Sequence, residues 1–120
     1  MNEFKRLAQA TRNSLAGIAF AWRDEQAFRS QVLALLVLVP VAVWLARSPT
    51  QLALLVSACL LVLTCELLNT GIEAIVDRAS PEIHPLAKKA KDCGSAGVMM
   101  SMVIWFLIWG GVLLENFRPS

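Results

Sequence analysis

The sequence predicts an all-α integral membrane protein, in which an N-terminal amphipathic surface helix precedes three transmembrane helices. Hydrophobic residues make up 57% of the 120 residues, and three long intervals carry no charge: 30–46, 48–65 and 93–114. Each interval is near the length that crosses a bilayer, and flanking charged side chains can extend to the interface. A soluble helical bundle would need polar faces that these segments lack. We therefore expect a single membrane domain over residues 1–120.

The expected elements follow from the apolar pattern. Over about residues 2–23, apolar side chains from Phe4 to Trp22 recur on one side, whereas Lys5 and Arg12 lie elsewhere. A basic helix with aromatic residues on its apolar face lies along a membrane surface. The spans are expected at about 28–46, 50–78 and 92–115. On the last span, three aromatic side chains are expected to face lipid or the interface: Trp105, Phe106 and Trp109.

The distribution of basic residues predicts the orientation. Nine of the eleven Lys and Arg residues precede the first span or lie between the second and third: Lys5, Arg6, Arg12, Arg23, Arg29, Arg78, Lys88, Lys89 and Lys91. Only Arg47 and Arg118 fall on the other side. The positive-inside rule then places the N-terminus in the cytosol of a multi-pass protein. No basic, aromatic-rich surface indicates a nucleic-acid partner.

A polar stripe marks the end of the second span. Glu66, Asn69, Glu73 and Asp77 follow one another at offsets of 3, 4 and 4, and therefore share one helix face. Glu66 lies 17 residues beyond Pro49, which is about 25 Å along a helix. In a hydrocarbon core roughly 30 Å thick, it would sit just inside the far boundary. A carboxylate there is costly and indicates a functional site.

Interhelical hydrogen bonds or ion pairs could account for Asn69 and Asp77 without catalysis. They account poorly for Glu66, because no basic residue is expected at its depth. Glu66 and Glu73 are two helical turns apart, about 10.5 Å, which is too far for both to bind one metal ion. The spacing suits a base at one end of a reacting group and a cation at the other.

The stripe belongs to a larger set of motifs that resembles the prokaryotic diacylglycerol kinase family. The motifs are Glu66-x-x-Asn69-x-x-x-Glu73-x-x-x-Asp77-Arg78, Ala87-Lys88-Lys89-Ala90-Lys91-Asp92-x-Gly94-Ser95-Ala96 and Ala21-Trp22-x-x-Glu25-x-Ala27-Phe28-Arg29. Together they cover essentially the whole chain. The resemblance implies ATP-dependent phosphorylation of diacylglycerol to phosphatidic acid, with Mg²⁺ as cofactor. It also implies a homotrimer with sites between subunits, in the bacterial inner membrane.

The roles expected of the central residues rest both on their chemistry and on this resemblance. Glu66 is expected to accept the proton of the lipid hydroxyl, which lies at the membrane boundary. Asn69 would orient Glu66 or a phosphate oxygen. By resemblance, Glu25 joins Glu73 in binding the metal, although alone it would be interpreted as a solvated charge. Lys91 would offset developing negative charge on the phosphates.

Further residues are assigned by the resemblance alone. Contacts with MgATP are expected from Arg6, Asn13, Glu25, Glu73, Glu82, His84, Lys91 and Asp92. Contacts with the lipid substrate are expected from Ser14, Glu66 and Ser95. Without the resemblance, a lone histidine such as His84 would be a solvated surface residue. The chain departs from the family pattern at Asn13, where an aromatic is familiar, and at Gln31, where relatives carry Glu.

Two alternative functions are compatible with parts of this pattern. Similar chains of the superfamily phosphorylate undecaprenol, but the 22–29 motif and Gly94-Ser95 resemble the diacylglycerol group more. A small proton-coupled exporter is the alternative from another class. It would need a carboxylate near mid-membrane, whereas Glu66 is expected near the boundary, and it would have no use for Lys91-Asp92.

Overall fold

The computed structural model describes residues 2–119, which form four α-helices and, within that range, no strand. The helices are α1 (Glu3–Asp24), α2 (Gln26–Leu45), α3 (Pro49–Ala79) and α4 (Pro85–Phe117). Helices α2, α3 and α4 are each long and apolar enough to cross a membrane. The predicted all-α class, with one amphipathic helix ahead of three spans, is confirmed. Helices α3 and α4 extend beyond the uncharged intervals, so that their ends carry polar and charged side chains.

Helices α3 and α4 begin with the same N-terminal capping arrangement. In each case a capping side chain precedes a proline at the first helical position, where the missing N–H costs nothing. The Ser48 hydroxyl accepts a hydrogen bond from the backbone N–H three residues further on, at 3.1 Å. The His84 ring Nδ1 accepts one from the Leu86 N–H, also at 3.1 Å. The cap therefore fixes the ring of His84 at the start of α4.

The core lies at the end of the spans away from Glu66, and it contains a tryptophan. Trp109 is only 5% exposed, and its indole N–H donates to the Leu55 carbonyl oxygen at 3.2 Å. The prediction that Trp109 faces lipid is therefore wrong. Small neighbours, Ala42 and Ala58, leave room for the ring, and the carbonyl satisfies its polar end. Trp105 stacks on Trp109 and is partly buried, whereas Phe106 is 69% exposed.

Most of the spanning surface is not covered by the chain itself. Only 17%, 33% and 22% of the most apolar stretches of α2, α3 and α4 are buried. Large apolar side chains such as Leu36, Val37 and Leu107 are exposed. Apolar surface of this extent must be covered by lipid or by other subunits.

A buried polar cluster joins the end of α4 to the turn between α2 and α3. The side-chain amides of Gln51 and Asn116 donate to each other's oxygens, both at 2.9 Å. Asn116 also donates to the Leu45 carbonyl oxygen at 2.9 Å, and Gln51 donates to Glu115. The cluster thus satisfies a carbonyl at the C-terminus of α2, which has no partner within its own helix.

Replacing Asn116 by Leu is expected to lower the free energy of unfolding by about 1–3 kcal/mol, because the Leu45 carbonyl would stay buried without its donor and Gln51 would keep only its bonds to Glu115 and the Arg47 N–H. Thermal denaturation in detergent micelles would measure this loss. Thr50→Val, an exposed substitution in the same turn, is the matched control. Equal melting temperatures for the Asn116→Leu and Thr50→Val proteins would contradict the structural role of the cluster.

Candidate functional site

Glu66 is buried in the contact between α3 and α2. It is 8% exposed and is the only charged residue that is buried between residues 2 and 119. Its Oε1 accepts a hydrogen bond from the Gln31 side-chain amide at 3.4 Å. Within the same range, no Lys or Arg forms an ion pair with it. Glu66 is thus a carboxylate held in place by a neutral donor, with its charge unbalanced by protein.

Gln31 explains one departure from the family pattern. A Glu at this position would place a second carboxylate against Glu66, whereas the amide of Gln31 donates a hydrogen bond to it. Sequence reasoning identified the departure but not the contact. The two residues are 35 positions apart on different helices, and a periodic pattern within one helix carries no information about that pairing.

Glu25 and Glu73 face one cleft between α1 and α3. This carboxylate cleft has a volume of about 610 Å³ and is lined by residues that include Ser14, Glu25, Glu73 and Asp77. The charges of Glu73 and Glu25 also act on Glu66, and both interactions are repulsive. Glu25 and Glu73, both on the lining of one open cleft, are therefore placed where a cation could bind between them.

The donor set of the carboxylate cleft fits a Mg²⁺ ion completed by ligand oxygens. Across residues 2–119, no group of three or more His, Cys, Asp or Glu side chains could hold a metal by itself. Mg²⁺ is commonly held by one or two carboxylates together with phosphate oxygens and water, rather than by an all-protein cage. The cleft lining carries Glu25 and Glu73 together with Asp24 and Asp77, of which Asp77 is paired with Lys91, and two carboxylates from this set would match that pattern.

Asn69 contacts Glu73 in the structure. Its side-chain amide donates to Glu73 Oε1 at 3.0 Å, and the two residues are one helical turn apart on α3. The sequence-based expectation gave Asn69 a role toward Glu66 or a phosphate oxygen. Between residues 2 and 119, its hydrogen bond is to Glu73 instead.

A second cleft adjoins the first at Asp77. This loop cleft has a volume of about 430 Å³, and its lining includes the side chains that the sequence assigned to the nucleotide: Glu82, His84, Lys91 and Asp92. Lys91 forms an ion pair with Asp77 across α3 and α4. Asp92 pairs instead with Lys88, one turn earlier on α4, at 2.6 Å. Lys91 and Asp92 are neighbours in sequence, but they have different ionic partners.

The structure brings some predicted residues together and leaves others apart. Ser14 lines the carboxylate cleft, although its hydroxyl donates to the Ala10 carbonyl oxygen at 2.9 Å. Arg6 and Asn13 line a separate shallow groove nearer the start of α1. Ser95 is exposed on α4 and lies outside both clefts.

Arg29 holds the junction that carries Glu25. Its guanidinium donates to the carbonyl oxygens of Trp22 and Arg23 at 2.8 and 2.9 Å, at the C-terminal end of α1. A cation there satisfies terminal carbonyls and interacts favourably with the helix dipole. Sequence reasoning quoted Arg29 only as part of a motif. A basic residue one turn beyond a helix break is the signal that could have indicated this role.

Comparison with known proteins identifies the family of this chain. The model of the family described as prokaryotic diacylglycerol kinase matches residues 12–113. The diacylglycerol kinase of Pseudomonas aeruginosa is 49% identical over 110 residues, which cover 92% of this chain and 89% of that protein. The enzyme of Helicobacter pylori is 43% identical over 114 residues, covering 95% of this chain and 89% of the relative. For the Escherichia coli enzyme the identity is 39% over 114 residues, with 95% and 93% covered. The chain therefore belongs to the prokaryotic diacylglycerol kinase family.

Proposed function

We propose that this protein transfers the γ-phosphoryl group of MgATP to the hydroxyl of diacylglycerol, producing phosphatidic acid and ADP at the cytosolic face of the membrane. The observation that carries the proposal is the buried Glu66, which has no cationic partner between residues 2 and 119 and accepts a hydrogen bond from the neutral Gln31. Membership of the family makes the chain a kinase that acts on an alcohol group. The substrate and the residue roles are the parts that we propose.

Glu66 acts as the general base. Diacylglycerol is apolar apart from its ester groups and one hydroxyl, so the hydroxyl lies at the boundary where α3 leaves the hydrocarbon core. Glu66 accepts the hydroxyl proton while the oxygen forms its bond to the γ-phosphorus and the bond to the β-phosphate oxygen breaks. The Gln31 amide holds the accepting carboxylate in a fixed orientation during this transfer.

Glu25 and Glu73 hold Mg²⁺ with the phosphates in the carboxylate cleft. The bound ion supplies positive charge that offsets the phosphate oxygens and the charge that develops on them. Asn69 holds the Glu73 carboxylate by its hydrogen bond at 3.0 Å. Arg29 fixes the α1–α2 junction and therefore the position of Glu25.

Lys91 binds the phosphate oxygens from the loop cleft. Its ammonium group is paired with Asp77, which lines both clefts. Phosphate oxygens compete with Asp77 for this ammonium group, because both are anionic acceptors. Three further predicted nucleotide contacts, Glu82, His84 and Asp92, line the same cleft and would face the nucleoside.

We also propose a homotrimer in the bacterial inner membrane, with the N-terminus in the cytosol. The exposed apolar surface of the spans supports assembly, and the excess of basic residues on one side supports the orientation. Arg6, Asn13 and Ser95 lie outside both clefts of a single chain. A neighbouring subunit would bring them to the site if it is shared between subunits.

Replacing Glu66 by Gln is expected to lower turnover by about 10²–10⁴-fold, because the amide has no basic site for the hydroxyl proton. ATP binding should be largely unchanged, since Glu66 does not bind the phosphates. Transfer of labelled phosphate from ATP in mixed micelles would measure turnover, with diacylglycerol and undecaprenol compared as acceptors. Loss of ATP binding in the variant would instead assign Glu66 to the metal.

The comparison of acceptors tests the substrate. We expect phosphate on diacylglycerol, and its loss in the Glu66→Gln protein. Transfer mainly to undecaprenol would overturn the substrate but not the mechanism. No transfer to either acceptor from folded wild-type protein would contradict the proposed function and favour a transport role.

Replacing Glu73 or Glu25 by Gln is expected to raise the half-saturating Mg²⁺ concentration by at least about tenfold, since losing a ligand costs more than losing a residue that supports a ligand. Initial rates at fixed ATP and varied Mg²⁺ would measure the change. Thr50→Val, at an exposed position outside both clefts, is the control. An unchanged Mg²⁺ requirement in either cleft variant would remove that residue from the metal site.

A further inference from the structure

Helices α3 and α4 lie so close together at Gly94 that a side chain there would meet the side chain of Asn69. A Cβ built on Gly94 would overlap the side-chain oxygen of Asn69, and would lie 3.2 Å from its Cγ and 3.6 Å from Ile72 Cδ1. No such crowding occurs at the other five glycines of the chain, Gly17, Gly71, Gly97, Gly110 and Gly111, where a Cβ would meet nothing within 4 Å. Gly94 is therefore the one glycine of the chain where an added Cβ would force a neighbouring side chain to move.

The hydrogen bond that Asn69 donates to Glu73 determines the orientation of the Asn69 amide. Its nitrogen donates to Glu73 Oε1 at 3.0 Å. Its oxygen is buried and has no hydrogen-bond partner between residues 2 and 119. Rotating the amide by half a turn would direct this oxygen at the Glu73 carboxylate, where two acceptors would repel each other. The oxygen must therefore occupy the space over Gly94 whenever the nitrogen holds Glu73.

We propose that Gly94 is a positioning residue for the metal-binding carboxylate Glu73 and acts on it through Asn69. This inference rests on the proposed function, because it takes Glu73 as a ligand of the Mg²⁺ that accompanies ATP. In this role Gly94 does not itself contact the nucleotide. It provides the space in which Asn69 can keep its donor on Glu73, and thereby keeps the carboxylate aimed into the carboxylate cleft.

An alanine at Gly94 should act on the site more than on the fold. The atom that its Cβ would displace first is the end of the Asn69 side chain, which can rotate away, whereas the contact with Ile72 is an ordinary van der Waals distance. Once Asn69 rotates, its nitrogen leaves Glu73. The carboxylate then loses the donor that orients it, as happens when a supporting residue of a metal ligand is removed.

The test compares Gly94→Ala with Gly97→Ala, which adds the same methyl group one turn further along α4, where it meets nothing. Binding of Mn²⁺ to detergent-solubilised protein with ATP, followed by electron paramagnetic resonance, reports on the metal without requiring turnover. We expect Gly94→Ala to bind Mn²⁺ about tenfold or more weakly, as for loss of a supporting residue. Gly97→Ala should match the wild type. Equal Mn²⁺ affinity in the two alanine variants would overturn the proposal.

A double-mutant cycle separates the role of Asn69 from a general packing defect. In the Asn69→Ala background the overlap is removed, so adding Gly94→Ala should cause no further loss of Mn²⁺ affinity. This double variant also tests the proposal if Gly94→Ala alone folds poorly, since the steric conflict is absent from it. A further loss as large as that in the wild-type background would overturn the proposal.

The proposed function and the role of Gly94 are tested by different results of these experiments. Wild-type protein that binds Mn²⁺ and ATP but transfers no phosphate to lipid would contradict the proposed function. The metal affinities of the variants would still decide the role of Gly94. Wild-type protein that binds no Mn²⁺ with ATP would overturn both.

Discussion

The burial of Glu66 is the constraint on which the rest of the site depends. Removing an ionised carboxylate from water costs on the order of several kcal/mol, and a cation usually compensates for it. Here the compensation from within residues 2–119 is a single hydrogen bond from Gln31, at 3.4 Å. Two further carboxylates act unfavourably on the same group. An arrangement of this kind gains nothing for the fold by itself; under the proposed function, the cation and the lipid hydroxyl that arrive with the substrates would offset its cost.

The surrounding structure serves to bring that arrangement to the membrane boundary. Helix α3 continues beyond its uncharged interval to Ala79, and this extension carries Asn69, Glu73 and Asp77. The short junction after α1 places Glu25 beside them, and Arg29 holds the junction by two hydrogen bonds. At the other end of the spans, the Gln51–Asn116 cluster and the buried Trp109 fix α4 against α2 and α3. Rigid packing at one end thus supports a polar, open site at the other.

Much of this could be predicted from the sequence, because the strongest signals are local. The uncharged intervals predict the spans, and the offsets of Glu66, Asn69 and Glu73 place them on one face of α3. Contacts between helices could not be predicted in the same way. Which side of one helix meets another depends on their relative rotation, and the apolar surface of a membrane helix carries little periodic signal. The pairing of Gln31 with Glu66, the burial of Trp109 and the close approach at Gly94 are all contacts of this kind. The pairing of Lys91 with Asp77 also crosses two helices.

The central claim is that carboxylates from two different elements hold one ion beside the buried base. A double-mutant cycle on Glu25→Gln and Glu73→Gln, with Mn²⁺ affinity in the presence of ATP as the readout, tests it most directly. If both carboxylates hold the same ion, removing the second after the first costs less than removing it alone, with a coupling of about 0.5–3 kcal/mol. Losses that simply add would mean that the two residues act at separate places, and would contradict the account of a shared metal–phosphate site.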